Sequence, residues 1–345
     1  MNVQVLDPFD AASDPEMPSL AMAIDPARVQ EQFMSGLACL AGEDKVINFK
    51  AIRVIRYKPK KRCVIEYDIE VERPDLPAET VTIIGKVRAK RNGKSAYRLL
   101  KAFRDAGFGS DSDDGISVPE PVGIVPEFRM WLQRKVPGQV MTDLLTSSFD
   151  VELARRIAMS AYKIHNADVP TERCHTMADE LSILRKCLTI VANKETIWSG
   201  RIGRLMDSCE RLAASVPRPR PCGIHRDFYS DQVIVDSTRL CIIDFDLYCH
   251  GDPGLDIGNF LGHITEYSLR HLGDPDGLAG MENAILENFI EMSGERTRAS
   301  VLAYAALTLV RHIYLSTLFP ERRSFTGRLL ELCEERLGVA KGIYA

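Results

Sequence analysis

Apolar residues alternate with basic ones from Val46 to Tyr57, and a second alternating run spans Cys63 to Ile69. Period-two patterning of this kind predicts strands, and Lys58-Pro59-Lys60-Lys61 between the runs predicts the turn of a hairpin. A third strand is expected over Val81 to Val87, carrying Lys86 near its end. Helical spacing of Tyr97, Leu100, Lys101 and Phe103 places a helix over 94–106, and two short extended segments, 121–125 and 128–136, lead to Pro137-Gly138. Beyond Gly138 the period changes. Leu153, Ile157, Ala161 and Ile164 fall on one helical face, and further helices are expected over 176–193, 197–214, 254–270, 280–292, 296–318 and 322–338. A short β-rich island, 222–248, interrupts them, with Val233–Val235 and Leu240–Ile243 reading as a buried hairpin that turns at Asp236 to Arg239.

These elements imply an α+β chain in two lobes. Residues 26–136 form a small antiparallel-sheet lobe and 137–345 a larger, mainly helical one, with 1–25, rich in Pro, Asp and Ala, expected as a loose lead-in. A length of 345 residues suits two lobes. With 44 Lys and Arg against 48 Asp and Glu, the net charge of −4 gives no reason to expect a nucleic acid or an anionic membrane as partner. The N-terminus lacks the basic start of a secretory signal, and the longest apolar run, 301–310, falls short of the ~20 residues that span a bilayer. Nine scattered cysteines without a C-x-x-C pair argue against a disulfide framework or structural zinc and fit a reducing cytoplasm.

The candidate chemistry is concentrated in the island. It reads His225-Arg-Asp227, then Gln232, then Ile243-Asp244-Phe245-Asp246, then Gly251-Asp252-Pro253-x-x-Asp256. A hairpin over 233–243 brings Gln232 and Asp244 to its open end, where the loop carrying Asp227 enters. Three oxygen-bearing side chains converging there suit phosphoryl transfer with magnesium, which needs a carboxylate for the hydroxyl proton and hard oxygen ligands for the metal. Other motifs fail on spacing. Gly93-Lys94-Ser95 lacks the first glycine of a P-loop, and Asp111 to Gly115 has its glycine one place early for a calcium loop.

The three linked motifs resemble those of the aminoglycoside phosphotransferase / choline kinase family, relatives of the protein kinases, which carry H-G-D-x-x-x-x-N, then I-D-x-x or D-F-D, then G-D-P-x-x-D. Looser matches include Lys86, Trp131 to Arg134 ahead of Pro137-Gly138 as a hinge, and Ala161-x-x-Ile164-His165. The resemblance implies a two-lobed protein-kinase-like fold that binds ATP and Mg²⁺. It implies Asp227 as catalytic carboxylate, Asp244 as main metal ligand, Gln232 in place of the usual metal-binding Asn, and Lys86 on the nucleotide phosphates. Arg134 and its neighbours would lie where adenine meets the hinge. Asp246 is either a second metal contact or a loop hydrogen-bonder. Lys58 and Lys60 belong to a basic turn that is either solvated or, lacking a Gly-rich loop, close to the triphosphate. Asp252 and Asp256 are expected to cap the following helix and brace the catalytic loop, His225 to be structural, and His165 to be core.

Two departures stand out. Gln232 adds a methylene to the expected ligand, and residues 87–104 contain no acidic side chain to hold Lys86, so another carboxylate, or another lysine such as Lys90 or Lys94, would serve. The implied activity is transfer of the γ-phosphoryl group of ATP to a hydroxyl of a small molecule: an aminoglycoside, an amino alcohol or a sugar-like compound. Glu266, Glu282, Glu287 and Glu291 would favour a cationic acceptor unless they merely form a solvated helix face. A catalytically silent nucleotide-binding regulator and a metal-dependent phosphohydrolase are the rival readings, and no oligomeric state is assigned.

Overall fold

The computed structural model describes residues 3–36, 46–73, 76–90, 93–147, 150–217 and 219–339. The chain divides into two compact units, Met1–Gly138 with Asp236–Ile243, and Gln139–Val235 with Asp244–Ala345.

The first unit is built on a six-stranded sheet. Its strands are β1 (Gln4–Leu6), β2 (Val46–Lys58), β3 (Arg62–Arg73), β4 (Leu76–Arg88), β6 (Pro121–Val125) and β7 (Met130–Arg134), in the order β1-β2-β3-β4-β7-β6. Between β4 and β6 lie α3 (Lys94–Asp105) and the short β5 (Ile116–Ser117), which runs parallel to β11 (Arg239–Ile242). Alternation along β3 decides which face is core. Cys63, Ile65, Tyr67, Ile69 and Val71 are buried in one apolar cluster, while Glu66 and Asp68 point to the other face, where both pair with Arg53 of β2. Register places Lys86 opposite Val64 and therefore on that charged face.

Residues 3–25 differ from the loose lead-in expected for them. β1 runs parallel to β2, and α1 (Ser19–Ile24) with α2 (Pro26–Gly36) covers the sheet, burying Met17, Leu20, Ala23, Ile24, Val29 and Phe33. The tie to the sheet is polar as well, since Tyr67 donates its hydroxyl to the Ala23 carbonyl at 2.8 Å. Pro and Asp punctuate the segment and obscure its apolar periodicity, but the sheet face still needs a cover.

The second unit is mainly helical. It comprises α4 (Val151–His165), α5 (Met177–Lys194), α6 (Ser199–Ser215), α7 (Gly254–Leu272), α8 (Ala279–Ser293), α9 (Arg298–Leu318) and α10 (Thr326–Arg336). Strands β8 (Gln139–Val140) and β10 (Val233–Asp236) form one antiparallel pair, β9 (Cys222–Ile224) and β12 (Cys249–Gly251) another. Sequence dictates start signals such as Asp150 capping α4 and the Thr176/Asp179 capping box of α5. Helices α7 and α9 pack along Gly254, Gly258 and Gly262. A Cβ on Gly258 would lie 2.6 Å from the Val301 carbonyl oxygen, and one on Gly262 2.8 Å from that of Ala305. The apolar stretch around α9 is longer than the run 301–310. Glu295–Leu318 has the length and apolar composition to cross a membrane, with mean hydropathy 1.4 over its most apolar 18 residues, of which 56% are buried within the protein.

Candidate active site

The loop after β9 is fixed from beneath by one carboxylate. Asp256, fully buried in the first turn of α7, accepts the backbone N–H groups of His225 (2.8 Å) and Arg226 (2.7 Å), while Nε2 of buried His165 lies 2.9 Å from its Oδ2. Asp252 caps the helix start through Gly254 N at 2.8 Å and accepts Ser300 Oγ at 2.6 Å. Both carboxylates do what the Gly-Asp-Pro-x-x-Asp spacing leads one to expect. His225 is buried with its ring against Phe245 and Phe228, so it packs the loop. Arg226 takes a left-handed φ of 70°, a conformation natural to the glycine common at this place in the resembling family.

Asp227 follows, and among the described residues its carboxylate accepts no hydrogen bond. Burial, opposed by His225 and Arg311 and assisted by the negative charge of Asp244, raises its pKa above the ordinary Asp value. Asp244 itself stands in the left-handed region (φ 63°, ψ 55°), which turns the chain from β11 into the 3₁₀ turn Phe245–Leu247. Gln232 is buried at the end of the turn Ser230–Gln232, its backbone N–H bonded to the Tyr229 carbonyl and its carboxamide without a hydrogen-bond partner among the described residues. Asp227, Gln232, Asp244 and Asp246 all fall in the second unit. Arg173 holds the backbone there by donating to the carbonyls of Asp246 and Tyr248.

This donor set fits magnesium. No group of three or more His, Cys, Asp or Glu side chains among the described residues is arranged to hold a metal alone. Magnesium instead takes one or two carboxylates and completes its shell with phosphates and water, and it accepts an amide oxygen.

In the first unit, Lys86 stands with its ammonium 5.0 Å from the centroid of the Trp131 ring. Thr80–Thr82 and Arg134–Gly138 line a cleft of about 420 Å³. The Arg134 guanidinium is occupied by Glu120 at 3.0 Å and Glu79 at 3.6 Å, so what it offers this cleft is its place in the backbone. Lys60 is likewise engaged. Its ammonium pairs with Glu16 at 2.7 Å and its N–H with Asp14 at 2.9 Å, whereas Lys58 is exposed beside the turn.

Three of the four glutamates expected to favour a cation already have partners. Glu266 pairs with Arg270, Glu287 with Arg298, and Glu282 accepts the Thr265 hydroxyl; Glu291 is exposed. Sequence reasoning also missed Asn259, Arg311, Glu180 and His175, which link α7, α9 and α5 to the loop at Phe228. No local motif marks them. A separate cavity of about 720 Å³, mostly apolar, lies among α5, α6, Val216, Pro219, Pro221 and β12, with Cys174, Leu181, Pro217 and Tyr304 in its walls.

The model of the phosphotransferase enzyme family matches residues 81–292, well over half of the chain. No curated protein matches the sequence. Among solved structures the chain is similar to a putative aminoglycoside phosphotransferase from Ralstonia eutropha, at 12% identity over 92% of this chain and 99% of that one, TM-score 0.60. A choline/ethanolamine kinase family protein from Mesorhizobium loti is similar at 13% identity over 93% of each chain, TM-score 0.53. A thermostable mutant of aminoglycoside phosphotransferase APH(4)-Ia, solved with AMP-PNP and hygromycin B, is similar at 15% identity over 86% of this chain and 96% of that one, TM-score 0.53. At such identities the likeness carries the fold, a protein-kinase-like α+β architecture with a sheet-rich N-terminal part and a helical C-terminal part.

Proposed function

The chain belongs to the phosphotransferase enzyme family, whose solved relatives include aminoglycoside phosphotransferases and choline/ethanolamine kinases; from that premise we propose that it moves the γ-phosphoryl group of ATP to a hydroxyl of a small molecule. The observation that carries this reading is Asp227, a half-buried carboxylate without a hydrogen-bond donor among the described residues, raised in pKa by desolvation and influenced by the charge of Asp244. A base meant for a substrate hydroxyl needs that vacant acceptor capacity, and a raised pKa strengthens it as a proton acceptor. Asp227 orients and deprotonates the hydroxyl. Asp244, Gln232 and Asp246 hold magnesium, which neutralises charge on the phosphates when bound. Lys86 reaches the phosphates, and the backbone of 134–138 receives the adenine. Of the two turn lysines, Lys58 is the one offered to the triphosphate, because the Lys60 ammonium is engaged by Glu16.

The acceptor is an aminoglycoside, an amino alcohol or a sugar-like hydroxyl compound. The pairing of Glu266 and Glu287 with arginines removes one argument for a strongly cationic acceptor. The deciding experiment is a calorimetric titration of ATP with and without Mg²⁺ on the native protein and on Asp244→Asn, followed by an ADP-release screen of hydroxyl acceptors. Magnesium-dependent binding that the variant loses supports the reading. Binding indifferent to metal and variant, with no ADP release, would replace it by a nucleotide-binding regulator.

A further inference from the structure

Asn259, in the second turn of α7, is 1% exposed, so both ends of its carboxamide must find partners. Its Nδ2 donates to the Phe228 carbonyl at 3.0 Å, and its Oδ1 accepts Arg311 Nη2 at 2.6 Å and Thr308 Oγ1 at 3.3 Å. A guanidinium has donors only, so it forces Oδ1 toward itself and leaves Nδ2 facing the Phe228 carbonyl. Without it, the amide is free to flip and present oxygen to oxygen. Arg311 is itself held, for its Nη1 reaches Glu180 Oε2 at 3.4 Å, and Glu180 Oε1 lies 2.6 Å from His175 Nε2. His175 is anchored in turn by its N–H on the His250 carbonyl at 2.8 Å.

We propose that Arg311 is a positioning residue for the catalytic loop, acting through Asn259 on the Phe228 carbonyl to fix Phe228, the residue that follows Asp227. Asp256 fixes the two residues before Asp227, and the Arg311–Asn259 relay fixes the one after it, so the carboxylate is aimed without being bonded itself. The same guanidinium sits where its charge favours the ionised form of Asp227. The inference rests on the reading of Asp227 as the base, and goes beyond it by placing a second anchor outside the three motifs.

The test uses the full chain and two readouts. Backbone amide exchange over 225–229 should quicken in Arg311→Met and Asn259→Leu, while α9 stays protected. In ADP release, with an accepted hydroxyl compound or with water as acceptor, Arg311→Met should lose about 10–100-fold in kcat with KM for ATP within about twofold of native. Arg311→Lys, which keeps a donor and the charge, should recover part of that loss and serves if the Met variant does not fold. The double variant should be no slower than the slower single, because both break one relay. Native exchange over 225–229, native kcat in Arg311→Met, or additive losses would overturn the proposal. Should native protein and Asp227→Asn turn over alike, the phosphotransfer reading fails instead, and the exchange measurement alone decides whether Arg311 holds the loop.

Discussion

Asp227 carries two opposed demands. In its proposed role of base it must be ionised, yet desolvation and Asp244 make its charge costly. A raised folded-state pKa means the folded protein binds this proton more tightly than the unfolded chain does. The group therefore supports stability below the ordinary Asp pKa, and that support is lost as pH rises through the folded value. At neutral pH and without metal, Asp227→Asn should melt about 1–3 °C above native while losing about 10²–10⁴-fold in kcat. Calorimetry and ADP release on the same sample check both halves; lower stability with retained turnover would contradict the assignment. Asp227 stood out as a candidate because three linked motifs share their spacing. Arg311 did not, because it acts through Asn259, 52 residues away in the chain, and nothing local in either segment announces the contact.

At the scale of elements, α7 and α9 are close because Gly258 has no side chain. Alanine there would gain roughly 1 kcal/mol of helix propensity, but its Cβ would meet the Val301 carbonyl, which is backbone and has little room to retreat. Gly258→Ala should therefore destabilise the protein by about 1–3 kcal/mol in urea unfolding, the reverse of what propensity alone gives. The four-residue spacing of Gly254, Gly258 and Gly262 was passed over in the sequence, because nothing in that segment marks the helix it meets. Helix α9 also buries His312, whose imidazole is held down to about 4 by desolvation, with Arg311, Arg322 and Arg270 adding to the effect and Glu266 opposing it. His263 on α7, edge-on to it, is held well below the usual value as well. The unfolded chain takes up these protons near pH 6.5 and the folded one does not, so stability falls from about pH 6.5 toward 4. For His312 the loss amounts to roughly 3 kcal/mol. Unfolding curves at pH 7 and 5 should show about 2 kcal/mol of it, with a smaller difference in His312→Gln.

For the molecule as a whole, ligand linkage is the sharpest prediction. MgATP at a hundredfold excess over its Kd should stabilise the native protein by about 2.7 kcal/mol, and Asp244→Asn should remove the part that depends on Mg²⁺. Thermal melts with ATP, with ATP and Mg²⁺, and with EDTA separate the contributions. The strand–helix division and the β island followed directly from apolar periodicity. The cover supplied by residues 3–25 did not, because Pro8, Pro15 and Pro18 break the pattern that Met17, Leu20 and Ala23 would otherwise show.

The distribution of thiols has a practical consequence. Among the described residues, Cys63, Cys209, Cys241, Cys249 and Cys333 are buried and Cys187 and Cys222 half-buried, while Cys174, in the wall of the 720 Å³ cavity, is exposed. Burial pushes the Cys63, Cys209, Cys222 and Cys241 thiols up to about 12 and that of Cys249 to about 11, leaving almost no thiolate to react at neutral pH. A maleimide fluorophore should thus modify Cys174 before any of these, as peptide mapping would show. The native sequence carries its own attachment point for a dye that reports on that cavity.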